Sequence, residues 1–428
     1  MKTIKIPTRL QRAWQRNYGG LSKPVYILFF ARTVNRMGDF VKLFLTLYLT
    51  QILGMPTETA GMFVMLSAGS SMAGGLLGGS LTDIFGRRRM ILGLQLMSTV
   101  SVGICGFLEP TIAIAWVLIF AAGAMGAVRP VVNSIVADIT AGPLRQRAFS
   151  LLYLGTNMGV AIGPIIAGFL FRNYLHWIFW GDALSTLVAF SLVLLWVPET
   201  KPSSTDISQS LEGDFHLEQA EGGSMLQALL RRPVLLLFAP LGIISNFIYS
   251  QHAFTIPLHL SSLWGERGAE LFGTIMSLNA MVVLIATTGV LFIFGRFKPL
   301  NNMVYASLFF MIGFGVLFFA ESFPLFLVST VLWTIGEIIL VTNLSVFIAN
   351  HTPITHRGRF NGLLSLIFGL GFTIGPYFSG FAIGSIGVDG MWRITGLVAG
   401  VNALLFFLLF RYDQRRSRRI AAAAAATS

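Results

Sequence analysis

Residues 137–168, ADITAGPLRQRAFSLLYLGTNMGVAIGPIIAG, return 212 positions later as residues 349–380, ANHTPITHRGRFNGLLSLIFGLGFTIGPYFSG. The shift pairs Arg145 with Arg357, Arg147 with Arg359, Gly159 with Gly371, Gly163-Pro164 with Gly375-Pro376 and Gly168 with Gly380. Both copies lie inside long apolar runs. Backbone in a bilayer must satisfy its own hydrogen bonds, so runs of about 20 apolar residues are expected to be helices. The repeat therefore predicts an all-α membrane protein of two related, parallel halves, an arrangement in which transporters place substrate between the halves.

A mean hydropathy of +0.74 and 11% charged residues are far from the composition of a soluble domain. Twelve candidate spans follow, at 25–52, 59–82, 90–109, 111–136, 147–172, 176–198, 234–261, 270–294, 301–320, 324–350, 360–385 and 391–411, numbered 1 to 12 below. The expected organisation is an N-terminal tail (1–24), a first six-helix half (25–198), a polar, acidic linker (199–233), a second half (234–411) and a C-terminal tail (412–428). The closing AAAAAATS has no apolar period and reads as a disordered tail. No short apolar core with a cleavage site precedes span 1, and the single cysteine, Cys105, excludes an internal disulfide framework.

Positive charge sets the expected orientation. Of 30 Lys and Arg, 23 fall in the two tails and the even-to-odd loops, and three (Arg172, Arg267, Arg393) fall on the opposite side. Both termini are thereby expected in the cytoplasm of a cell membrane, a bacterial inner membrane. The net charge of +12 is a topology signal and predicts no nucleic-acid partner.

Two motifs stand out. Between spans 2 and 3 lie Gly79, Asp83, Gly86, Arg87 and Arg88, followed by Arg89. Glycine lets helices approach closely, and an aspartate at a helix boundary can accept bonds from a helix N-terminus. The pattern resembles the G-x-x-x-D-x-x-G-R-R/K signature of the major facilitator superfamily. That resemblance implies a gate that locks the cytoplasmic side of the two halves. Ile84 stands where the family usually has a base, and the second-half counterpart, Gly289 to Lys298, lacks the acid. Gly159, Gly163, Pro164 and Gly168 in span 5, repeated as Gly371, Gly375, Pro376 and Gly380 in span 11, resemble the Gly-Pro motif of the family's twelve-span drug:proton antiporter branch. Pro198-Glu199-Thr200-Lys201 closes span 6 as in many members. The family's span 4 arginine is replaced by apolar residues (Ile119 or Ala122), with Arg129 later in the helix as a possible substitute.

Ionisable groups inside a span are costly and mark function by default. Span 1 holds Arg32, Arg36, Asp39 and Lys42, span 4 holds Arg129, span 7 His252 and span 10 Glu337, a reading of four bases against two acids. Arg36, Lys42, Arg129, Asn133, Asn246, Gln251, His252 and Asn343 form the expected substrate cavity, since the resemblance implies that spans 1, 4, 7 and 10 line it. Asp39 and Glu337 are the expected proton-coupling carboxylates. Asp39 is read equally as a counter-ion to Arg36 or Lys42, whereas Glu337 has no base within a turn of its own helix. Arg32 is expected to extend its charge to the interface.

The resulting expectation is a monomeric secondary transporter, not an enzyme, that moves a small amphiphilic or charged solute through a lipid bilayer by alternating access, as a proton-coupled efflux antiporter. A symporter of peptides or organic anions, or an exporter of lipid-like molecules, is the alternative. The excess of bases favours anionic or zwitterionic substrates, while Thr33-Val34-Asn35-Arg36 lacks the acids of the peptide symporters' E-x-x-E-R run. No G-x-x-x-x-G-K-[ST] loop, H-E-x-x-H run or Cys/His cluster occurs, so no nucleotide, metal or other cofactor is expected and the proton gradient supplies the energy. A receptor that binds without transporting remains the reading from another class.

Overall fold

The computed structural model describes residues 19–140, 142–200, 233–351 and 357–427, and every regular element among them is helical. Most of the N-terminal tail and of the 199–233 linker lies outside the described residues, as do the side chains of Gly79, Asp83, Arg357 and Arg359.

Nine helices among the described residues are long and apolar enough to cross a membrane. The longest such stretch, Leu366–Arg415, is interrupted at Gly387, whose φ of 75° suits glycine, and carries both span 11 and span 12. The two remaining spans are helical but more polar. Span 3, Arg87–Cys105, begins with three arginines. Span 1 is cut in two, Lys23–Met37 and Phe40–Leu47, and continues as a π turn, Tyr48–Ile52. These account for the twelve predicted spans. The AAAAAATS tail is a correction, since the final helix runs on to Thr427. Alanine is the strongest helix former and continues a helix without any apolar period.

The chain divides into two compact units, Met1–Phe44 with Gly69–Glu212, and Leu45–Ala68 with Gly213–Ser428. In the first, span 1 packs on spans 5 and 6, and span 3 on spans 4 and 6. Its core includes Val25, Leu28, Val131, Ile135, Leu151 and Val193, all buried. In the second, span 9 packs on span 10, and span 7 on the long last helix and on span 8.

The duplicated glycines explain why the two units share this plan. A Cβ on Gly159 would come within 2.6 Å of the Thr33 carbonyl oxygen, and one on Gly163 would run into that of Met37. In the other unit a Cβ on Gly371 would meet the Ile243 carbonyl, and one on Gly375 the Ser250 hydroxyl. Span 5 thus seats on span 1 through bare backbone, and span 11 seats on span 7 in the same way. Such contact gains dispersion where lipid offers no hydrophobic drive between helices. Gly168, Pro164 and Pro376 are buried within these helices, and Gly380 lies against the Thr57 carbonyl.

Candidate substrate and coupling sites

The first unit is organised around the break in span 1. Gly38 ends the first helix by donating its N–H to the Val34 carbonyl at 3.1 Å, and the second helix starts at Phe40. A new N-terminus inside the span exposes amides without partners inside the helix. One of them, on Val41, donates to Asp182 Oδ2 of span 6 at 3.1 Å. A carboxylate facing a helix N-terminus is favoured by the helix dipole. Gly38 also lies against Ser185 so closely that no Cβ would fit. Span 6 therefore both packs against the break and caps it.

Asp39 sits in the break and pairs with Arg36 Nη1 at 2.6 Å, each side chain roughly a third exposed. Lys42 is exposed and within electrostatic reach of Asp39, which in turn lies close to Asp182. Asp182 corrects the sequence reading. It is a third intramembrane acid, so four bases face three acids and the net excess is one positive charge, not two. The criterion that selected Asp39 and Glu337, an acid inside an apolar run, applies equally to Asp182 at the seventh position of His176–Trp196.

Arg32 donates from Nε to Thr156 Oγ1 at 2.6 Å, and Asn35 donates to Thr186 Oγ1 at 3.0 Å. Arg32 is thus held by span 5 rather than extended to the interface. Arg129 is exposed, with Pro130 next to it in the same helix, and makes no hydrogen bond or ion pair with a described residue. Asn133, one turn on, is exposed.

At the start of span 3 the Gly86-Arg87-Arg88 segment forms a network. Gly86, with φ 92°, turns the chain into span 3, and the amides of Arg87 and Arg88 donate to Glu199 Oε1 and Oε2 at 2.9 and 3.2 Å. Arg87 Nε pairs with Asp138 Oδ2 of span 4 at 3.0 Å, and Arg88 Nη2 donates to the Leu194 carbonyl at 2.6 Å. Asp138 also accepts from the Thr200 hydroxyl at 3.2 Å. The described carboxylate partner of Arg87 is therefore Asp138. Glu199, recognised in the sequence only as part of a span-closing run, caps span 3.

In the second unit Glu337 is held by neutral donors. Tyr249 Oη donates to Oε1 at 2.7 Å and Asn279 Nδ2 to Oε2 at 2.8 Å; Asn279 also reaches Thr334 Oγ1 at 3.0 Å. His252 stacks on Trp333 with centroids 5.5 Å apart, and its Nδ1 lies 2.5 Å from the Tyr249 carbonyl. Gln251 is fully buried, its Oε1 accepting from Thr255 at 2.6 Å and from Ser379 of span 11 at 3.0 Å, so it ties two helices together. Asn246 donates to the Gly242 carbonyl, and Asn343 accepts from Asn302 at 2.7 Å. Of these, only His252 joins the Glu337 cluster, through Tyr249. Sequence reasoning missed Tyr249 and Asn279 because it weighted charge. Tyr249 stands three residues after Asn246 and three before His252, on one helix face.

A two-unit, all-helical membrane fold with charged residues held inside its spans defines a polytopic transporter. The chain belongs to the Major Facilitator Superfamily, whose family model matches residues 28–353 and 302–428. It is 25% identical over 398 residues to the uncharacterized MFS-type transporter YqjV of Bacillus subtilis (strain 168), covering 87% of this chain and 89% of that one. It is 24% identical over 400 residues to a Na(+), Li(+), K(+)/H(+) antiporter of Planococcus maritimus, covering 87% and 92%. Among solved structures, a POT family transporter in complex with a thioalcohol conjugated peptide superposes with a TM-score of 0.78 at 15% identity, over 93% of this chain and 98% of that one; this is a likeness of fold.

Proposed function

We propose that the chain is a proton-coupled antiporter that exports a small amphiphilic or charged solute by alternating access, with Glu337 as the group that takes up and releases the proton. The observation that carries this reading is the environment of Glu337. Both carboxyl oxygens are met by neutral donors, Tyr249 and Asn279, and among the described residues no basic side chain is in hydrogen-bond contact. A carboxyl group so held can exist with or without its proton, whereas one locked to an arginine stays charged. Asp39, paired with Arg36, fits the counter-ion role better than the carrier role. The similarity to a cation/proton antiporter, over most of both chains, supports exchange over symport. The distribution of basic residues supports an orientation with both termini in the cytoplasm.

The test is proton movement in proteoliposomes with an imposed pH gradient, probed with ethidium, mandelate and dialanine as cationic, anionic and zwitterionic solutes. Antiport predicts proton efflux as solute enters, and movement together would establish symport instead. Glu337→Gln is expected to abolish gradient-driven accumulation while solute exchange without a gradient survives. Undiminished accumulation in that variant removes Glu337 from the mechanism.

A further inference from the structure

The second unit carries a buried polar pair away from Glu337. Trp392, at the start of span 12, donates from its indole Nε1 to His259 Nδ1 of span 7 at 3.0 Å, and both side chains are buried. An indole N–H only donates, so His259 Nδ1 holds a lone pair and the ring proton sits on Nε2. A proton added to this imidazole goes to Nδ1 and sets two donors against each other. The bond therefore exists only while His259 is neutral, and histidine is the side chain whose charge ordinarily changes between about pH 5 and 8.

The surroundings offer the charged ring a different partner. Among the described residues Asp389, exposed just after the interruption at Gly387, is the charged group within electrostatic reach of His259. Span 10 presents the uncharged Phe326 ring, with centroids 5.0 Å apart. Arg393, next to Trp392 in sequence, lies over the Phe318 ring at 4.2 Å. On its own helix, the Ser262 hydroxyl donates to the His259 carbonyl. A neutral His259 thus faces Trp392, and an imidazolium is drawn toward Asp389.

Trp392 connects this pair to the coupling site through a file of rings. It stacks on Phe314 of span 9 (6.1 Å between centroids, 3° between planes), Phe314 stacks on Trp333 (5.8 Å, 9°), and Trp333 on His252 (5.5 Å, 22°). Trp333 also meets Tyr249 edge-on at 6.3 Å, and Tyr249 donates to Glu337. Rings in a close-packed interior do not shift singly without opening a void. Trp333 is wholly buried, and its Nε1 has no hydrogen-bond partner among the described residues. A buried donor without an acceptor is costly, so its ring neighbours, not a hydrogen bond, hold this indole in place.

We propose that His259 is a proton-operated latch and a positioning residue for Glu337. Neutral, it fixes Trp392 and with it the file of rings that seats Tyr249 on the carboxylate. Protonated, it releases Trp392, turns to Asp389 and frees the rings to draw Tyr249 off Glu337. A carboxylate that loses a donor is better served by a proton of its own. His259 lies at the end of span 7 away from the 199–233 linker. In the orientation argued from the basic residues that end faces outward, the side from which antiport draws protons. The consequence of opening rests on the Glu337 reading, whereas the opening itself is observable without transport.

The experiment is fluorine NMR of the full-length protein in nanodiscs, with its eight tryptophans replaced by 5-fluorotryptophan, titrated from about pH 8 to about pH 5. Trp392→Phe, Trp333→Phe and Trp116→Phe assign three resonances. Those of Trp392 and Trp333 are expected to shift together with one midpoint, while that of Trp116, in the first unit, stays. His259→Asn places an amide oxygen where Nδ1 stood, accepts from Trp392 at every pH, and should hold both resonances at their alkaline positions. Asp389→Asn should move the transition to lower pH; as a change at an exposed residue, it keeps the test decisive if His259→Asn does not fold. Phe314→Leu keeps bulk but removes a ring from the file, so Trp392 should still respond and Trp333 should not. Glu337→Gln should leave both responses intact, which separates failure of Glu337 as proton carrier from failure of the latch. A Trp392 resonance that does not move, a transition unaltered by His259→Asn and Asp389→Asn, or movement of Trp392 without Trp333 in the parent protein would each overturn the proposal.

Discussion

At the residue scale the informative carboxylates differ in what holds them. Asp39 has an arginine, Asp182 a backbone amide, and Glu337 a phenol and a carboxamide. These environments predict different responses to mutation. Asp182→Ala strips the acceptor from the Val41 amide and is expected to lower stability by about 1–3 kcal/mol, read as an earlier thermal unfolding transition in detergent. Asp182→Asn keeps an acceptor in place and should recover most of that loss. Equal destabilisation by both would show that charge, not the hydrogen bond, is what the break requires. Much of this was legible in the sequence as residue identity: Asp39, Glu337, Arg36 and Arg129 stand out as charges in apolar runs. Pairing was not legible, because the partners come from other spans. Val41 and Asp182 are 141 positions apart, and Tyr249 and Glu337 are 88 apart. Asp182 is the exception, visible by the same rule and passed over.

At the scale of helices the glycine contacts make span pairs 1–5 and 7–11 the closest-fitting seams described above. Gly163→Leu and Gly375→Leu are expected to abolish folded expression, since each side chain would enter space filled by span 1 backbone or by the Ser250 side chain. Gly93→Leu, where nothing lies within 4 Å, should be tolerated. Fluorescence-detected size exclusion separates the outcomes, and tolerance of all three would refute the seam. The repeat in the sequence announced these glycines, but not what they touch; periodicity names a face and leaves its neighbour open. The break at Gly38 was likewise hidden, because the apolar run 25–52 contains no proline to announce it. The start of span 3 offers a second test. Glu199→Ala removes both acceptors from the Arg87 and Arg88 amides, and a loss of about 1 kcal/mol is expected by analogy with other helix caps. Glu199→Gln, with one acceptor left, should lie between.

For the whole molecule, the duplicated plan and the twelve spans follow from hydropathy and the 212-residue echo, and the family follows from motif spacing. Orientation is the open quantity that charge alone predicts. With Cys105→Ser as background, Arg415→Cys is expected to react with an impermeant maleimide in inverted membrane vesicles and to be protected in intact cells, whereas Arg267→Cys should behave oppositely. Reversed labelling would invert the topology argued from the basic loops.

The cap across the break also bears on how the protein is made. Ionisable residues at the centre of a span cost about 2.5–3.5 kcal/mol each on insertion scales, and the first span to emerge carries four of them. Asp182, which accepts from the Val41 amide, leaves the ribosome 141 residues after it, roughly seven to thirty seconds later at about 5–20 residues per second. Throughout that interval the newborn segment has its break but not the carboxylate that caps it. Span 1 is therefore expected to settle late, once the sixth helix is present to accept from its Val41 amide.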